Sequence, residues 1–356
     1  MITPKASRRA GSAPTISDVA RLAGVSPMTV SRVINGESNV RPATRELVNT
    51  AISTLSYAPN SAARSLAGAG QIRIGLLYSN PSAGFLSEFL LGSLDQAARS
   101  DVQIIVEKCE LGEHEIEVTK HLIAGGIDGI VLPPPLCEAD AVLELLAAAQ
   151  VPTVSVASGL PSEDLLAIRI DDREAALTMT RHIMALGHRR IGFVCGNPNL
   201  SASARRREGY EAALDEAGIA IDEALITHGL YTYRSGLDAA EQLLALSDPP
   251  TAIFASNDDM AAAAVAVAHR RGLDVPGDLT VCGFDDTTLS TAIWPELTTI
   301  HQPIADMARA AVELLVAAIR RPRGIEGADR HQLLDYTLIR RQSDAAPRRR
   351  PSARDA

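Results

Sequence analysis

Residues 15–35 read TISDVARLAGVSPMTVSRVIN. Ile16, Val19, Ala20 and Ala23 recur at i, i+3, i+4 and i+7, the spacing that lines one face of a short helix. Thr15 followed by Asp18 has the form of a capping box, with Asp in place of the usual Glu or Gln, and Gly24 supplies the stop. Ser26 then caps a second helix that opens at Pro27, turns Val30 and Val33 inward and ends at Asn35-Gly36. Two short helices joined by a Gly-containing turn make a helix-turn-helix, whose second helix enters a DNA major groove with its first residues toward base edges. Here those residues are Pro27, Met28, Thr29 and Arg32. Thr29, Ser31 and Thr44 offer hydroxyls to phosphates or bases, Arg32 suits paired hydrogen bonds to guanine, and Met28 suits a thymine methyl. The competing reading is a three-helix bundle for protein contact; the polar groups gathered on one face speak against it.

Working outward, Pro42 opens a third helix that presents Leu47, Val48, Ala51, Ile52 and Leu55 before Tyr57-Ala58-Pro59 breaks it. Residues 1–14 are small, basic and Pro/Gly-bearing, and are expected to form a disordered arm. Asn60 to Ala67 is too short for a helix stable by itself in water, and Gly68-Ala69-Gly70 follows. Residues 60–70 are therefore expected to be a hinge and linker, helical only when supported, after a DNA-binding domain at 15–59.

From residue 71 apolar runs alternate with amphipathic segments. Nine strands are expected, at 72–79, 102–109, 129–132, 151–156, 167–171, 190–196, 224–230, 251–257 and 279–285, with helices between them and a last helix over 303–319. Strict alternation means right-handed crossovers and parallel sheets, and so many strands are better divided between two lobes than forced into one sheet. This α/β core is expected to span 71–341, with a disordered basic tail at 342–356.

The chain has 356 residues, 46% of them apolar and only 3% aromatic, which suits stacked helices over buried aliphatic strands. Its net charge of -9 is unevenly spread. Residues 1–70 hold eight Lys or Arg against three acids, and residues 346–356 hold four Arg against one Asp, so the acid excess lies in the middle. Basic ends around an acidic core are the asymmetry expected when one domain meets phosphate and the other does not. Cys109, Cys137, Cys195 and Cys282 form no C-x-x-C pair and have no His at metal-ligand spacing, so they read as reduced core thiols. No signal-peptide-like run follows the basic N-terminus, and the expected location is the cytoplasm.

The segment 15–35, continued through VRPATRELVNTAISTLSYAPNSAARSLAG, resembles the head of the lactose/galactose repressor (LacI/GalR) family, and a thinner similarity runs across the core to about residue 341. The resemblance implies a helix-turn-helix head on a two-lobed, periplasmic-binding-protein-like core, acting as a dimeric repressor on pseudo-palindromic operator DNA under control of a small molecule, most simply a sugar. Either sign of control, release or promotion of DNA binding, uses the same parts. Leu66, which by itself reads as packing, matches the hinge leucine that wedges into the minor groove. Thr15, Asn35, Asn39, Tyr57, Asn60, Ala63 and Arg64 complete the expected DNA-contacting set. The tail after Arg340 lacks leucine heptads, so a dimer is expected rather than a coiled-coil tetramer.

In the core, the resemblance places Arg206, Asn257 and Asp285 at effector-contacting positions near strand-to-helix turns, where open α/β sheets bind ligands. Tyr231 matches a place where the family often has an aromatic ring, suited to stack on a sugar face. Phe85 and Asp171 are weaker candidates from the first lobe, as is His301-Gln302 near the chain's return between lobes; Asp258 and Asp286 read as helix caps. Catalytic residues, metal and cofactor are not expected. Gly68-x-Gly70 precedes a strand instead of following one, no G-K-[ST] phosphate loop is present, and the eight histidines show no triad or metal spacing. The rival classes are a periplasmic-type sugar-binding protein, which would carry a signal peptide and no DNA head, and a sugar-modifying α/β enzyme, which would need a phosphate loop or an acid and base in one cleft.

Overall fold

The computed structural model describes residues 15–34, 40–55, 71–79, 81–110, 112–320 and 330–348. Its packing divides the chain into two units, Met1–Gln71 and Ile72–Ala356.

In the first unit, α1 (Ile16–Ala23), α2 (Pro27–Ile34) and α3 (Pro42–Leu55) form a three-helix cluster. The Thr15 N–H and Oγ1 both donate to Asp18 Oδ2, at 3.0 and 2.7 Å. Gly24 ends α1 in the left-handed conformation at φ 68°. The Ser26 hydroxyl accepts the Thr29 N–H at 3.1 Å, which fixes the start of α2. Val19, Ala20, Val30, Val33, Val48 and Ala51 make a small core. Leu47 departs from expectation: it is 58% exposed, because Val48, Ala51, Ile52 and Leu55 already supply the i, i+3, i+4, i+7 face.

The second unit has two lobes. Lobe 1 begins with β1 (Arg73–Tyr78), α4 (Ala83–Ser100), β2 (Gln103–Lys108), α5 (Glu115–Ala124), β3 (Gly129–Leu132), α6 (Asp140–Ala148), β4 (Thr153–Val156) and β5 (Leu166–Arg169). The chain crosses to lobe 2 for α7 (Asp172–Ala185), β6 (Ile191–Cys195), α8 (Ser201–Glu216), β7 (Ile226–His228), α9 (Tyr233–Leu244), β8 (Ala252–Ala255), α10 (Asp258–Arg270), β9 (Thr280–Asp285), α11 (Leu289–Ala292) and β10 (Thr298–His301). It returns for α12 (Ile304–Arg320) and β11 (His331–Leu333), then crosses again to β12 (Thr337–Ile339). Each lobe holds a six-stranded sheet, ordered β11-β5-β4-β3-β1-β2 and β12-β10-β9-β8-β6-β7.

Three strands, β10, β11 and β12, were not among the nine read from the sequence. TTIH, HQL and TLI are short and stand in polar surroundings without an apolar run, and pairing with β9, β5 and β10 respectively makes them strands. Pairing also modifies the all-parallel expectation, since β12 runs antiparallel to β10 at the edge of the second sheet.

The boundary at 341 needs correction as well, because residues 342–348 pack on lobe 2 instead of forming a free tail. The Ser343 hydroxyl donates to the Val281 carbonyl and accepts the Thr298 N–H. Asp344 accepts Thr298 Oγ1 at 2.6 Å, His182 Nε2 at 2.9 Å and Arg340 Nε at 3.1 Å. Ala345 O accepts Thr280 Oγ1 at 3.0 Å and His188 Nε2 at 2.8 Å. A run of small polar residues has no hydrophobic signature, so this strap is held by hydrogen bonds that sequence periodicity does not report.

Burial works to raise the Asp344 pKa, but the hydrogen bonds from His182 and Thr298 and the charge of Arg340 outweigh it and hold the carboxyl below the usual range. A carboxyl whose pKa falls on folding stabilises the fold above its unfolded value, and that contribution is lost as pH drops through the folded value. Asp344→Asn is therefore expected to lower stability near neutral pH by about 1–3 kcal/mol. In urea unfolding of the full chain, the gap between parent and variant should close progressively below about pH 4.

Candidate functional site

A cleft enclosing about 550 Å³, counting space open to solvent, lies where the two sheets of the second unit present the C-terminal ends of their strands. Its lining follows the topology. Phe85 comes from the first turn of α4 after β1, Pro135 follows β3, Ala157 follows β4, and Asn197 follows β6. Tyr231 follows β7, Asn257 follows β8, Asp285 ends β9, Gln302 follows β10, and Arg206 reaches in from α8. Parallel strands with helical crossovers place these turns on one edge, and the cleft is the gap between the two edges.

Arg206 is the centre of the polar wall, only 5% exposed. Its Nε donates to Asp172 Oδ1 at 2.8 Å, one Nη to the Ser256 carbonyl and the other to Gln302 Oε1 at 3.2 Å. Asp285 Oδ1 lies 3.8 Å from Nη1, and the guanidinium carbon sits 3.6 Å from the Phe284 ring centroid. Burial opposes its charge, yet Asp172, Tyr231 and Asp285 outweigh that and raise its pKa. For Asp285 burial wins: its pKa is raised well above the usual carboxylate value, against the pull of Arg206 and with the help of Asp258 and Asp259.

Three non-glycine residues on the cleft wall adopt positive φ: Ala157 at 57°, Tyr231 at 60° and Asp285 at 105°. Such backbone costs on the order of 1–3 kcal/mol per residue and persists only where surroundings over-determine it. Asp258 is part of that surrounding at Asp285. Fully buried, it accepts the Thr287 N–H at 2.7 Å and Thr299 Oγ1 at 2.7 Å, tying the turn after β9 to β10. Burial pushes its pKa up to about 7 against those hydrogen bonds.

Of the effector candidates read from the sequence, Phe85, Arg206, Tyr231, Asn257 and Asp285 line the cleft, and so does Gln302. Asp171 is not brought to its wall; it caps α7, accepting the Glu174 N–H at 3.0 Å. Asn257 also caps a helix, accepting the Met260 N–H at 3.0 Å. Asp258 and Asp286 are not caps. Asp258 is spent on the turn after β9, and Asp286 pairs with Arg341 at 2.6 Å and His301 at 3.1 Å. Ser82, Pro134, Asn197, Leu200 and Leu230 line the cleft without having been singled out, although most stand directly after a parallel strand, where such sheets bind ligands.

The lobes also touch across the cleft. Ser82 Oγ donates to Asp259 Oδ2 at 2.7 Å. Glu138 accepts the Ser201 N–H at 2.8 Å and the Ser201 hydroxyl, closing the N-terminus of α8 from the opposite lobe. Among the described residues, no group of His, Cys, Asp and Glu is arranged to hold a metal ion. Burial raises the thiol pKa of Cys109 and of Cys195 to about 11, which leaves both un-ionised near neutral pH.

In the first unit, the start of α2 faces outward: Pro27 and Arg32 are exposed and Met28 is 65% exposed. Ser31 and Thr44 are half-buried. Thr29 is held in the cap, its Oγ1 2.9 Å from Ser26 Oγ. Asn35, Asn39, Tyr57, Asn60, Ala63, Arg64 and Leu66 lie outside the described residues. Among those described, no helix is long and apolar enough to cross a membrane.

Residues 15–60 match the profile of the bacterial regulatory proteins of the lacI family, and residues 180–343 match a periplasmic binding protein-like domain. Catabolite control protein A of Priestia megaterium is 37% identical over 303 residues, covering 85% of this chain and 91% of that protein. The transcriptional regulator GalR of Escherichia coli K12 is 36% identical over 94% of this chain and 96% of its own length. Among solved structures, the transcriptional regulator CelR–cellobiose complex superposes with a TM-score of 0.71 at 32% identity, covering 93% of this chain and 99% of that one. The lac repressor dimer bound to operator and the anti-inducer ONPF gives 0.72 at 29%, covering 94% and 100%. A helix-turn-helix with an outward-facing second helix, a two-lobed core with a cleft at its strand ends, and these near-full-length matches make the chain a member of the LacI family of bacterial transcriptional regulators.

Proposed function

We propose that this regulator is a cytoplasmic homodimeric repressor that reads a pseudo-palindromic operator with the residue 15–59 head, and that a sugar-class effector bound in the cleft of its core sets operator affinity. Residues 60–70 serve as the hinge between the two activities. The observation that carries the effector reading is the convergence of Arg206, Asn257, Asp285 and Gln302 with the Tyr231 ring at one cleft. Guanidinium and amide donors, a carboxyl acceptor and an aromatic face are the groups that grip a polyol. Support comes from relatives: CelR is solved in complex with cellobiose and a LacI family regulator of Enterococcus faecium with bound ribose, and the matched relatives are transcription regulators rather than enzymes.

Control follows from the cross-cleft contacts. A ligand seated between the lobes adds to the Ser82–Asp259 and Glu138–Ser201 hydrogen bonds, favouring one relative position of the lobes over another. Differential affinity for the two positions, typically 1–3 kcal/mol, is all that coupling to DNA affinity requires.

Arg32→Ala is expected to weaken operator binding by about 1–3 kcal/mol and to relax selectivity at a single base position, measured by fluorescence anisotropy with a set of singly substituted operators. Equal loss across every substituted operator would place Arg32 on phosphate instead. Glu138→Ala is expected to raise the effector concentration for half-maximal response about 5- to 30-fold, the equivalent of roughly 1–2 kcal/mol. Operator titrations in the presence of the effector supply that number. The proposal as a whole fails if no sugar changes operator affinity of the full chain at low ionic strength.

A further inference from the structure

Away from the cleft, α4 of lobe 1 carries an acid into the seam between the lobes. Gly84, Glu88 and Gly92 follow one another at i, i+4 and i+8 on that helix, so they share a face. Both glycines are in close contact. A Cβ at Gly84 would lie 2.9 Å from the Thr287 Cβ, and one at Gly92 would run into the Ala305 carbonyl. Glu88 stands between them, half-buried, facing the turn after β9 and the end of β10.

What it faces there is a chain of charges. His301 ends β10, 40% exposed, with its Nδ1 3.1 Å from Asp286 Oδ2. Arg341 lies 2.6 Å from the other Asp286 oxygen and 4.0 Å from Glu296, so its charge is committed to acids of lobe 2. Asp258 on α10 adds negative charge on the Asp286 side. Asp285, in register with His301 across the sheet, is within 3.8 Å of Arg206. On α12, Arg309 is spent on Asp306 and Asp95.

Among the described residues Glu88 has no hydrogen bond of its own, and His301 is the one group whose charge favours its ionised form. Burial raises the Glu88 pKa, and Asp286 adds to that rise. An acid from one lobe and an acid from the other therefore share a single imidazole.

We propose that His301 is a proton-operated clasp between the lobes. Protonated, it places one positive charge between Glu88 of lobe 1 and Asp286 of lobe 2 and favours the lobe position seen here. Neutral, it leaves two carboxylates facing each other across the seam, and that position is disfavoured. Histidine ordinarily changes charge between pH 5 and 8, and none of the eight histidines lies in residues 1–70, so this control resides in the core. His301 also adjoins Gln302, which accepts from Arg206 in the cleft wall, so a proton here biases the same lobe positions that a ligand in the cleft would. The clasp needs Glu88 ionised and His301 charged together. It is lost on the alkaline side as the imidazole gives up its proton, and on the acid side as Glu88 takes one up.

A double-mutant cycle of Glu88→Gln and His301→Gln tests the clasp, read by urea unfolding of the full chain at fixed protein concentration. The two side chains are expected to be coupled about threefold in the folding equilibrium constant near pH 6, the scale of a partly exposed ion pair. That coupling should vanish at pH 8.5 and again near pH 4. His301→Lys, which stays charged throughout this range, should keep its coupling to Glu88 at pH 8.5. No coupling at pH 6 overturns the clasp, and equal coupling at pH 6 and 8.5 does so too, because a packing contact or a neutral hydrogen bond would persist without the proton. Operator titrations without effector give a second reading, which rests on the repressor function proposed above. Between pH 6 and 8.5 the operator affinity of the parent should change about threefold more than that of Glu88→Gln. Equal pH dependence in the two overturns control of DNA binding by the clasp. Should the full chain bind no operator at either pH, the repressor reading fails, and the unfolding cycle still decides the clasp.

Discussion

A guanidinium held at 5% exposure is a demanding thing to build a cleft around. The effective penalty for taking a single charge from water into protein is several kcal/mol, and it is offset only where the geometry satisfies the whole group. Arg206 meets that condition through partners on separate elements: Asp172 opens α7, Ser256 follows β8, Asp285 ends β9, and Gln302 lies on the return from β10 to α12. None of them can be displaced by a register slip without leaving a buried charge unpaired. The interaction therefore fixes where four chain segments end relative to one another, which is a constraint on specificity more than a source of stability. Close approach of α8 to α7 is part of the same arrangement. A Cβ at Gly209 would lie 2.1 Å from the Arg173 carbonyl, so the helix that carries Arg206 can sit on α7 only through a glycine.

The strained backbone at Tyr231 and Asp285 stands against the same guanidinium, and Ala157 faces the cleft from the other lobe. Each lies just after, or at the end of, a strand whose next residues must turn away from the cleft, and each projects a side chain inward instead of following the turn outward. Asp258 shows how one such position is held. Its carboxyl gathers a backbone N–H and two hydroxyls from the segments on either side, and Gly283 leaves room for it: a Cβ there would stand 2.4 Å from Asp258 Oδ1. A helix cap at Asp258, as its position in the sequence invites, would have left that turn without an anchor.

What the sequence made legible sorts by the kind of force involved. Periodic burial writes itself into residue order, so α1 to α3 and β1 to β9 could be placed within a few residues, and the Thr15–Asp18 box and Gly24 stop could be named individually. Arg206, Asn257 and Asp285 were found through family resemblance combined with the rule that strand ends bind ligands. Three kinds of feature left no trace in residue order. Short strands such as His331–Leu333 exist because a neighbour pairs with them. The strap through Ser343 and Asp344 is polar on both sides of the contact. The division of labour at Asn257–Asp258, cap against anchor, depends on which way two adjacent side chains point, and neither composition nor spacing encodes that.

The seam between the lobes shows how a cleft of this kind responds to a ligand without melting its core. One hydrophobic cluster runs through both sheets, from Ile74 and Val154 to Phe193 and Phe284, and holds the lobes together without directional preference. Contacts at the edges are directional. Glycines sit there against backbone and hydroxyl-bearing side chains: a Cβ at Gly84 would lie 2.9 Å from the Thr287 Cβ, and a Cβ at Gly159 would lie 2.6 Å from the Ala202 nitrogen. Beside each glycine contact stands a cross-lobe hydrogen bond, Ser82 to Asp259 on one side and Ser201 to Glu138 on the other. Hydrogen bonds weaken steeply with misalignment, so these edges are either made or broken, with little in between. A ligand touching both walls adds its own contacts to those edges, and it shifts the relative position of the lobes only as far as it binds one position better than another.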